Sequence, residues 1–171
     1  MRIAIAIAAL SGGSTMLTGD ESLKKRPMKP ILNALETMGV TSESDEGTPP
    51  ITIKGKIIGD EVTIDGNISS QFISALLIIA PRLKNGLNLN VNGELVSKPY
   101  TDLTIAIMEE FGVNVTSQIP YKQYNIEHQI YKPTTFTIQS DFSNLALLLS
   151  CLLYTSDSAY DTPCVDLGGR R

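Results

Sequence analysis

The residues best placed to do chemistry are three consecutive polar side chains, Ser69, Ser70 and Gln71, at the start of an apolar run. Residues 72–80 are apolar at all but one position, and Pro81 follows. Ser is a favoured N-cap and Pro ends a helix, so this pattern predicts a buried helix. Its N-terminus would present two hydroxyls, an amide and unpaired backbone N–H groups, which can hold an anion such as phosphate. An ordinary N-cap on a core helix is the alternative, and these residues alone leave both open.

Two further polar segments come directly before predicted helices. The first, over residues 24–27, is Lys-Lys-Arg-Pro, and the second, over residues 97–100, is Ser-Lys-Pro-Tyr. Arg can bind carboxylate or phosphate through two parallel hydrogen bonds, which makes Arg26 a candidate anion ligand. A solvated run of charges is the alternative, and we favour it for Lys24 and Lys25.

The elements that must position these residues recur along the chain. Pro27 and Pro99 lie 72 residues apart, and Gly39 and Gly112 lie 73 apart. Each unit is predicted to contain a buried helix, a strand, a basic loop with Pro, an amphipathic helix and further strands, which together indicate an α/β protein with an internal repeat. The chain would hold part of one unit, one whole unit and the start of a third, so we expect both ends to be cut.

Several stretches are predicted individually. The first ten residues favour a buried helix, and Pro27 favours the first turn of a helix that Gly39 ends. Residues 41–50 are predicted to be a solvated loop, residues 117–135 to be irregular, and residues 136–139 to be a strand.

Bulk composition excludes several functional classes. A chain of 171 residues with 42% hydrophobic content suits one domain, and its net charge of −4 gives no general attraction to nucleic acid. The sequence contains no run of 18 apolar residues, so no membrane span is predicted. The two cysteines, Cys151 and Cys164, are near the end of the chain, and the single histidine, His128, cannot hold a metal alone.

Three blocks together resemble one family, 5-enolpyruvylshikimate-3-phosphate synthase, also called 3-phosphoshikimate 1-carboxyvinyltransferase. They are KRPM at residues 25–28, DGNISSQF at residues 65–72 and GELVSKPY at residues 93–100. The resemblance implies two lobes, each built of three βαβαββ units with buried parallel helices, an inside-out α/β barrel. Residues 1–150 would be an incomplete first lobe of such an enolpyruvyl transferase, and Met1-Arg2 resembles the end of the family's Gly-Asn-Ala-Gly-Thr-Ala-Met-Arg segment.

The resemblance also implies a function and its residues. The family transfers the enolpyruvyl group of phosphoenolpyruvate to shikimate 3-phosphate, a cytoplasmic step of the shikimate pathway to chorismate and aromatic amino acids, without a metal or organic cofactor. The residues that would bind shikimate 3-phosphate are Ser69, Ser70, Gln71, Ser97 and Tyr100. The residues that would bind phosphoenolpyruvate are Arg26 and Gln71.

No catalytic residue is expected in this stretch, because the family's acid/base carboxylates belong to a second lobe that would be the missing partner of this one. Catalysis in a closed cleft needs groups from both sides. We therefore expect that an enolpyruvyl-transfer assay of this chain will not rise above a blank, and turnover would contradict that expectation.

Two rival functions remain open. The related UDP-N-acetylglucosamine enolpyruvyl transferase is one, although its reactive loop cysteine has no match here and the Ser-Lys-Pro-Tyr block argues against it. The other is a non-catalytic repeat domain whose serines are only helix caps.

Residues 151–171 are expected to be a non-native tail. The helix pattern is predicted to break at Cys151, and the stretch CLLYTS reads like the translation of a sequencing adapter, TGT CTC TTA TAC ACA TCT. A divergent native tail is the alternative, and the codons for residues 151–156 decide between the two.

Overall fold

The computed structural model describes residues 1–138 and 145–152. The chain divides into two compact units, Met1–Thr134 and Thr135–Arg171. The helices of the first unit are α1 (Arg2–Ala8), α2 (Glu21–Lys24), α3 (Lys29–Thr37), α4 (Ser70–Ile79) and α5 (Lys98–Glu110). Its strands are β1 (Ser14–Leu17), β2 (Thr41–Asp45), β3 (Thr48–Lys54), β4 (Glu61–Asp65), β5 (Leu87–Asn92), β6 (Thr116–Ile119) and β7 (Gln123–Ile126).

The two sheets of the first unit share the order of three of their strands. The first sheet has the antiparallel order β1-β3-β2, and the second has the order β4-β5-β7-β6, in which only β4 and β5 are parallel. The order β5-β7-β6 repeats β1-β3-β2, and the first residues of β1 and β5, Ser14 and Leu87, lie 73 positions apart. The elements from β4 to β7 therefore form one complete βαβαββ unit, which confirms the α/β class and the internal repeat.

Helix α4 is the centre of the hydrophobic core. Every residue of α4 is buried except Gln71 at its start and Ile78 near its end. It packs between α1 and α5, with fully buried side chains such as Phe72 and Leu76, each of which contributes about 1.5–3 kcal/mol of hydrophobic stabilisation. Because α4 connects the parallel strands β4 and β5, its N-terminus must lie at the carboxyl end of β4.

The prediction of a solvated loop over residues 41–50 is wrong. Strands β2 and β3 form a hairpin there, and Asp45 pairs with Thr48 across the two-residue turn Glu46-Gly47. Both turn residues have positive φ, 48° and 78°, as the primed hairpin turns require. The polar sequence concealed β2 because it is an edge strand whose side chains are mostly exposed.

The prediction that residues 117–135 are irregular is also wrong in part, because β6 and β7 form a second hairpin within that range. The signal for β7 is present in the sequence: Tyr124 and Ile126 alternate with polar residues, and both are buried. Residues 127–135 have no regular secondary structure.

Helix α3 begins later than predicted. Pro27 lies outside it, and Pro30 occupies its first turn instead. The backbone N–H of Met28 donates to the carbonyl of Gly47 at 2.8 Å, which holds the chain outside the helix at that point. Gly39, with φ 96°, follows the helix end as predicted.

In the second unit, residues 145–152 are helical, and the Ser150 hydroxyl donates to the carbonyl of Ala146 at 2.8 Å. The helix includes residues 151 and 152, so the predicted break at Cys151 is wrong. Residues 136–138 are not a strand, contrary to prediction, while Gln139 lies outside the described residues.

The hydroxyl of Tyr124 is buried and has no hydrogen-bond partner among the described residues. The side chain of Tyr124 on β7 is 3% exposed. Burial, followed by the nearby charges of Asp102 and Tyr121, raises the pKa of Tyr124 to about 12. By contrast, the Tyr131 hydroxyl donates to the carbonyl of Ile78 at 2.9 Å.

We predict that alkaline pH destabilises the fold through Tyr124. In the unfolded chain this phenol loses its proton near pH 10, whereas in the folded chain it keeps its proton until about pH 12, so the free energy of unfolding falls as pH rises through this window. Tyr124→Phe should lessen that fall, with a change below about 1 kcal/mol at neutral pH because no hydrogen bond is lost. Urea unfolding at pH 8 to 12 measures both quantities.

Tyr131→Phe is the comparison variant. It removes a real hydrogen bond and should cost about 1 kcal/mol at neutral pH, and because burial also raises the pKa of Tyr131, it should lessen the alkaline fall as well. An alkaline loss of stability as steep in Tyr124→Phe as in the parent chain would contradict the prediction.

Candidate functional site

The N-terminus of α4 carries the predicted Ser-Ser-Gln cluster. Ser69 is extended, and its hydroxyl accepts a hydrogen bond from the Gln71 backbone N–H at 3.3 Å, which confirms Ser69 as the N-cap. Ser70 is buried, with 3% exposure, and Gln71 is exposed. The cap uses one lone pair of the Ser69 hydroxyl, so its proton remains available for donation to an anion.

The N-terminus of α5 lies beside that of α4 because β4 and β5 are parallel. Asp65 and Asn92, the last residues of these strands, are paired in register, and the Asn92 amide donates to the Asp65 carboxylate at 2.9 Å. The loops that follow the two strands therefore leave the same edge of the sheet, and each leads into a helix. In open α/β sheets this edge, outside the carboxyl ends of the strands, is where ligands bind.

Gly66 joins the two loops. Its carbonyl accepts a hydrogen bond from the Val96 N–H at 3.0 Å. A Cβ on Gly66 would lie 2.6 Å from Val91 Cγ1 and 3.1 Å from both the Glu94 carbonyl oxygen and Leu95 Cα. No side chain fits there without movement of backbone, so glycine at this position sets the spacing between the Ser69 loop and the Ser97 loop.

Ser97 has a strained backbone and an uncommitted hydroxyl. Its φ of 56° places it in the left-handed region, and it caps α5 without a side-chain hydrogen bond. A non-glycine residue there costs about 1–3 kcal/mol, and such residues cluster at ligand sites. The Ser97 hydroxyl has no partner among the described residues and is exposed, so it can bond to a ligand.

A groove of about 370 Å³ lies between α4, α5 and the start of α1, and Ser69, Ser70 and Ser97 are not part of its lining. Gln71 and Tyr100 line it, and Tyr100 is 60% exposed. Along the groove, a hydrogen bond of 2.7 Å between the hydroxyls of Ser74 and Thr104 connects α4 and α5. The rest of the lining is mainly apolar, from Met1, Ile3, Ile78, Leu103 and Ile107.

Arg2 is a functional candidate to which the residues alone gave no role. Its guanidinium donates to the Gln71 side-chain oxygen and lies 4.9 Å from the centre of the Phe72 ring. Its Nε is buried with no acceptor in the described part. One signal was available: Arg2 is the only charged residue among the first nineteen. Its contact with Gln71 also shows that α1 and α4 start at the same end of the helix layer.

Arg26 is not brought into this groove. It lies between α2 and α3, its side chain is exposed, and its guanidinium makes no hydrogen bond or ion pair within the described ranges. In the internal repeat, the loop before α3 is equivalent to the loop before α5. Arg26 therefore lies in the loop of the first repeat that is equivalent to the Ser97 loop of the second. Its predicted role stays a prediction.

The site can bind an anion but has little means of proton transfer. No carboxylate, imidazole or thiol lines the groove. Within the described residues, no group of three or more His, Cys, Asp or Glu side chains could hold a metal ion, and no helix is long and apolar enough to cross a membrane. The chemistry that the groove supports is recognition by hydroxyls, an amide, helix N-termini and one guanidinium.

A family model described as EPSP synthase (3-phosphoshikimate 1-carboxyvinyltransferase) matches residues 1–155. This chain belongs to the EPSP synthase family. The match ends within the stretch predicted as a non-native tail, and the division at residue 150 stays a prediction.

Curated relatives carry the same name at high identity. The 3-phosphoshikimate 1-carboxyvinyltransferase of Nitrosopumilus maritimus is 57% identical over 157 residues, which are 92% of this chain and 37% of that protein. The corresponding protein of Methanosphaera stadtmanae is 42% identical over 88% of this chain and 37% of its own length. This EPSP synthase family chain therefore spans just over a third of the length of these relatives.

Solved structures support the fold. An EPSP synthase structure from Acinetobacter baumannii matches with a TM-score of 0.70 at 25% identity, over 85% of this chain and 32% of that one. The enolpyruvyl transferase NikO from Streptomyces tendae matches with a TM-score of 0.50 at 15% identity, over 74% of this chain and 29% of that one, which shows a shared fold alone.

Proposed function

We propose that this chain forms the shikimate 3-phosphate side of an enzyme that transfers the enolpyruvyl group from phosphoenolpyruvate to shikimate 3-phosphate. The observation that carries the proposal is the pair of helix N-termini, α4 and α5, held side by side by the Gly66–Val96 hydrogen bond. Membership of the EPSP synthase family and the names of the relatives support the same activity. We place the reaction in the cytoplasm, as expected for this biosynthetic step.

The proposed roles follow from the position of each side chain. Ser69 and Ser97 donate hydrogen bonds to the phosphate of shikimate 3-phosphate, which carries close to two negative charges. Ser70 is only 3% exposed, and its assignment to the same substrate rests on the family resemblance. Helix N-termini favour such an anion by about 0.3–1 kcal/mol each at exposed sites. The exposed ring of Tyr100 covers the carbocycle, because an aromatic face suits its non-polar carbons.

Gln71 stands between the two substrates. Its side-chain oxygen already accepts from Arg2, so its amide N–H groups remain to donate to a substrate oxygen. Arg26 and Gln71 are the proposed ligands of phosphoenolpyruvate, Arg26 by a bidentate pair with carboxylate or phosphate. Closure of the cleft by the rest of the enzyme would bring the acid/base groups to the substrates.

We predict that shikimate 3-phosphate binds the 171-residue chain through Ser97 and Gln71. Titration calorimetry should show that Ser97→Ala and Gln71→Ala each weaken binding about tenfold or more, since a hydrogen bond to a charged group is worth about 1.5–3 kcal/mol. Ser44→Ala and Gln118→Ala, at exposed positions on edge strands β2 and β6, are the matched controls and should bind like the parent chain.

Unchanged affinity in Ser97→Ala and Gln71→Ala would mean that these residues serve only the helix starts. That result would favour a non-catalytic repeat domain and contradict the proposed function.

A further inference from the structure

A second cavity lies at the opposite end of α1 and α4. Its volume is about 700 Å³, which falls within the roughly 300–1,000 Å³ typical of small-molecule pockets. Its apolar lining includes Ala9 after α1, Ile57 after β3 and Leu83 after α4, exposed by 0%, 7% and 6% respectively. The cavity therefore has a well-packed non-polar floor.

The rim of this cavity is basic. Lys56, Arg82, Lys84 and His128 line it, and no carboxylate does. In the described ranges, the side chains of Lys56, Arg82 and Lys84 take part in no ion pair or hydrogen bond. Their nearest acidic neighbours along the chain do not line the cavity. Three basic side chains thus line one concave, non-polar space that no carboxylate lines.

Some lysines elsewhere in the described chain are paired, since Lys24, Lys54 and Lys98 each lie within 3.5 Å of a glutamate oxygen. Others, such as Lys25 and Lys132, form no ion pair within the described ranges. What distinguishes the second cavity is that three unpaired cationic side chains line one concave space.

Hydrogen bonds to backbone groups fix the segments that supply the rim. His128 Nδ1 lies 2.9 Å from the Leu83 carbonyl oxygen, and the Gln129 N–H donates to the Pro81 carbonyl at 2.9 Å. These two bonds hold the segment after β7 against the segment after α4. The Gly55 N–H donates to the Gly13 carbonyl at 3.2 Å, which fixes the turn that carries Lys56.

Stabilisation of helix C-termini does not account for this arrangement. Cations near a helix C-terminus interact with its unpaired carbonyls, and Arg82 is placed for that role. Lys56 and His128, however, belong to other loops. The last carbonyls of α1 are already bonded, since the N–H groups of Leu10 and Ser11 donate to Ile7 and Ala8 at 3.0 and 3.1 Å.

We propose that this cavity is a second anion site, for a small organic phosphate with a non-polar body. The phosphate would bond to Arg82 and to the lysine ammonium groups, and the non-polar part would rest on the floor. The site is separate from the substrate groove, because the ten residues of α4, about 15 Å of helix, lie between them. It goes beyond the proposed enolpyruvyl transfer, which does not use these residues.

Phenyl phosphate is a suitable probe, because it joins a phosphate dianion to an apolar ring. Titration of the ¹⁵N-labelled 171-residue chain at about 0.15 M salt, where exposed charges farther apart than about 8 Å are screened, should move the amide signals of residues 56–57, 82–84 and 128 along one saturating curve. Inorganic phosphate should bind more weakly because it cannot use the floor.

The double variant Lys56→Gln/Lys84→Gln should weaken phenyl phosphate binding at least about tenfold, because charge-assisted hydrogen bonds are lost. The control Lys25→Gln/Lys132→Gln removes the same charge from exposed positions outside the cavity and should bind like the parent chain. All four side chains are exposed, so both double variants should fold.

Three results would overturn the proposal: no movement of the signals around the cavity, an equal loss in the control variant, or movement confined to Ser69, Gln71 and Ser97. The last result would place the probe at the proposed substrate-binding residues and would support the proposed function instead. If shikimate 3-phosphate does not bind, the proposed function fails, whereas the amide signals of residues 56–57 and 82–84 still test the second site independently.

Discussion

The close approach of Gly66 to the loop of Glu94–Val96 is the constraint on which the candidate site depends. The parallel pair of β4 and β5 brings two loops to one sheet edge, but only a residue without a Cβ lets them touch. The Gly66–Val96 hydrogen bond then sets the distance between the two helix N-termini. In the proposed function, the two helix N-termini act together on a single phosphate.

Helix α4 connects this edge to the rest of the molecule. Its apolar sides pack on α1 and α5, and its one exposed residue at the N-terminus, Gln71, meets Arg2 from α1. The same packing orients the C-terminal ends of α1 and α4 toward a basic cavity. The mostly apolar helix α4 thus separates two regions of different chemistry, the proposed substrate site with its hydroxyls and amide and a cluster of unpaired cations.

Elements with a strong hydrophobic periodicity are predicted correctly from the sequence. Elements that depend on contacts between distant segments are missed. The cap at Ser69, the buried helix after it and the repeat of Gly39 and Gly112 all follow from local rules, and the structure confirms them. The β2–β3 hairpin is missed because its edge strand carries exposed polar side chains and its turn is Glu-Gly rather than the commoner Asn-Gly. The role of Gly66 and the contact of Arg2 with Gln71 depend on segments distant in sequence, so a local pattern does not predict them, although Arg2 stands out as the only charged residue among the first nineteen.

The most direct test of the central claim is the affinity of Gly66→Ala for shikimate 3-phosphate, compared with Gly13→Ala. A Cβ at Gly66 would meet backbone of the Ser97 loop at 3.1 Å, whereas a Cβ at Gly13 has no heavy atom within 4 Å. We predict that Gly66→Ala separates the two helix starts and weakens binding at least about tenfold, by loss of hydrogen bonds to a charged group, while Gly13→Ala binds like the parent chain. Equal affinity in both variants would show that the spacing set by Gly66 does not form the site.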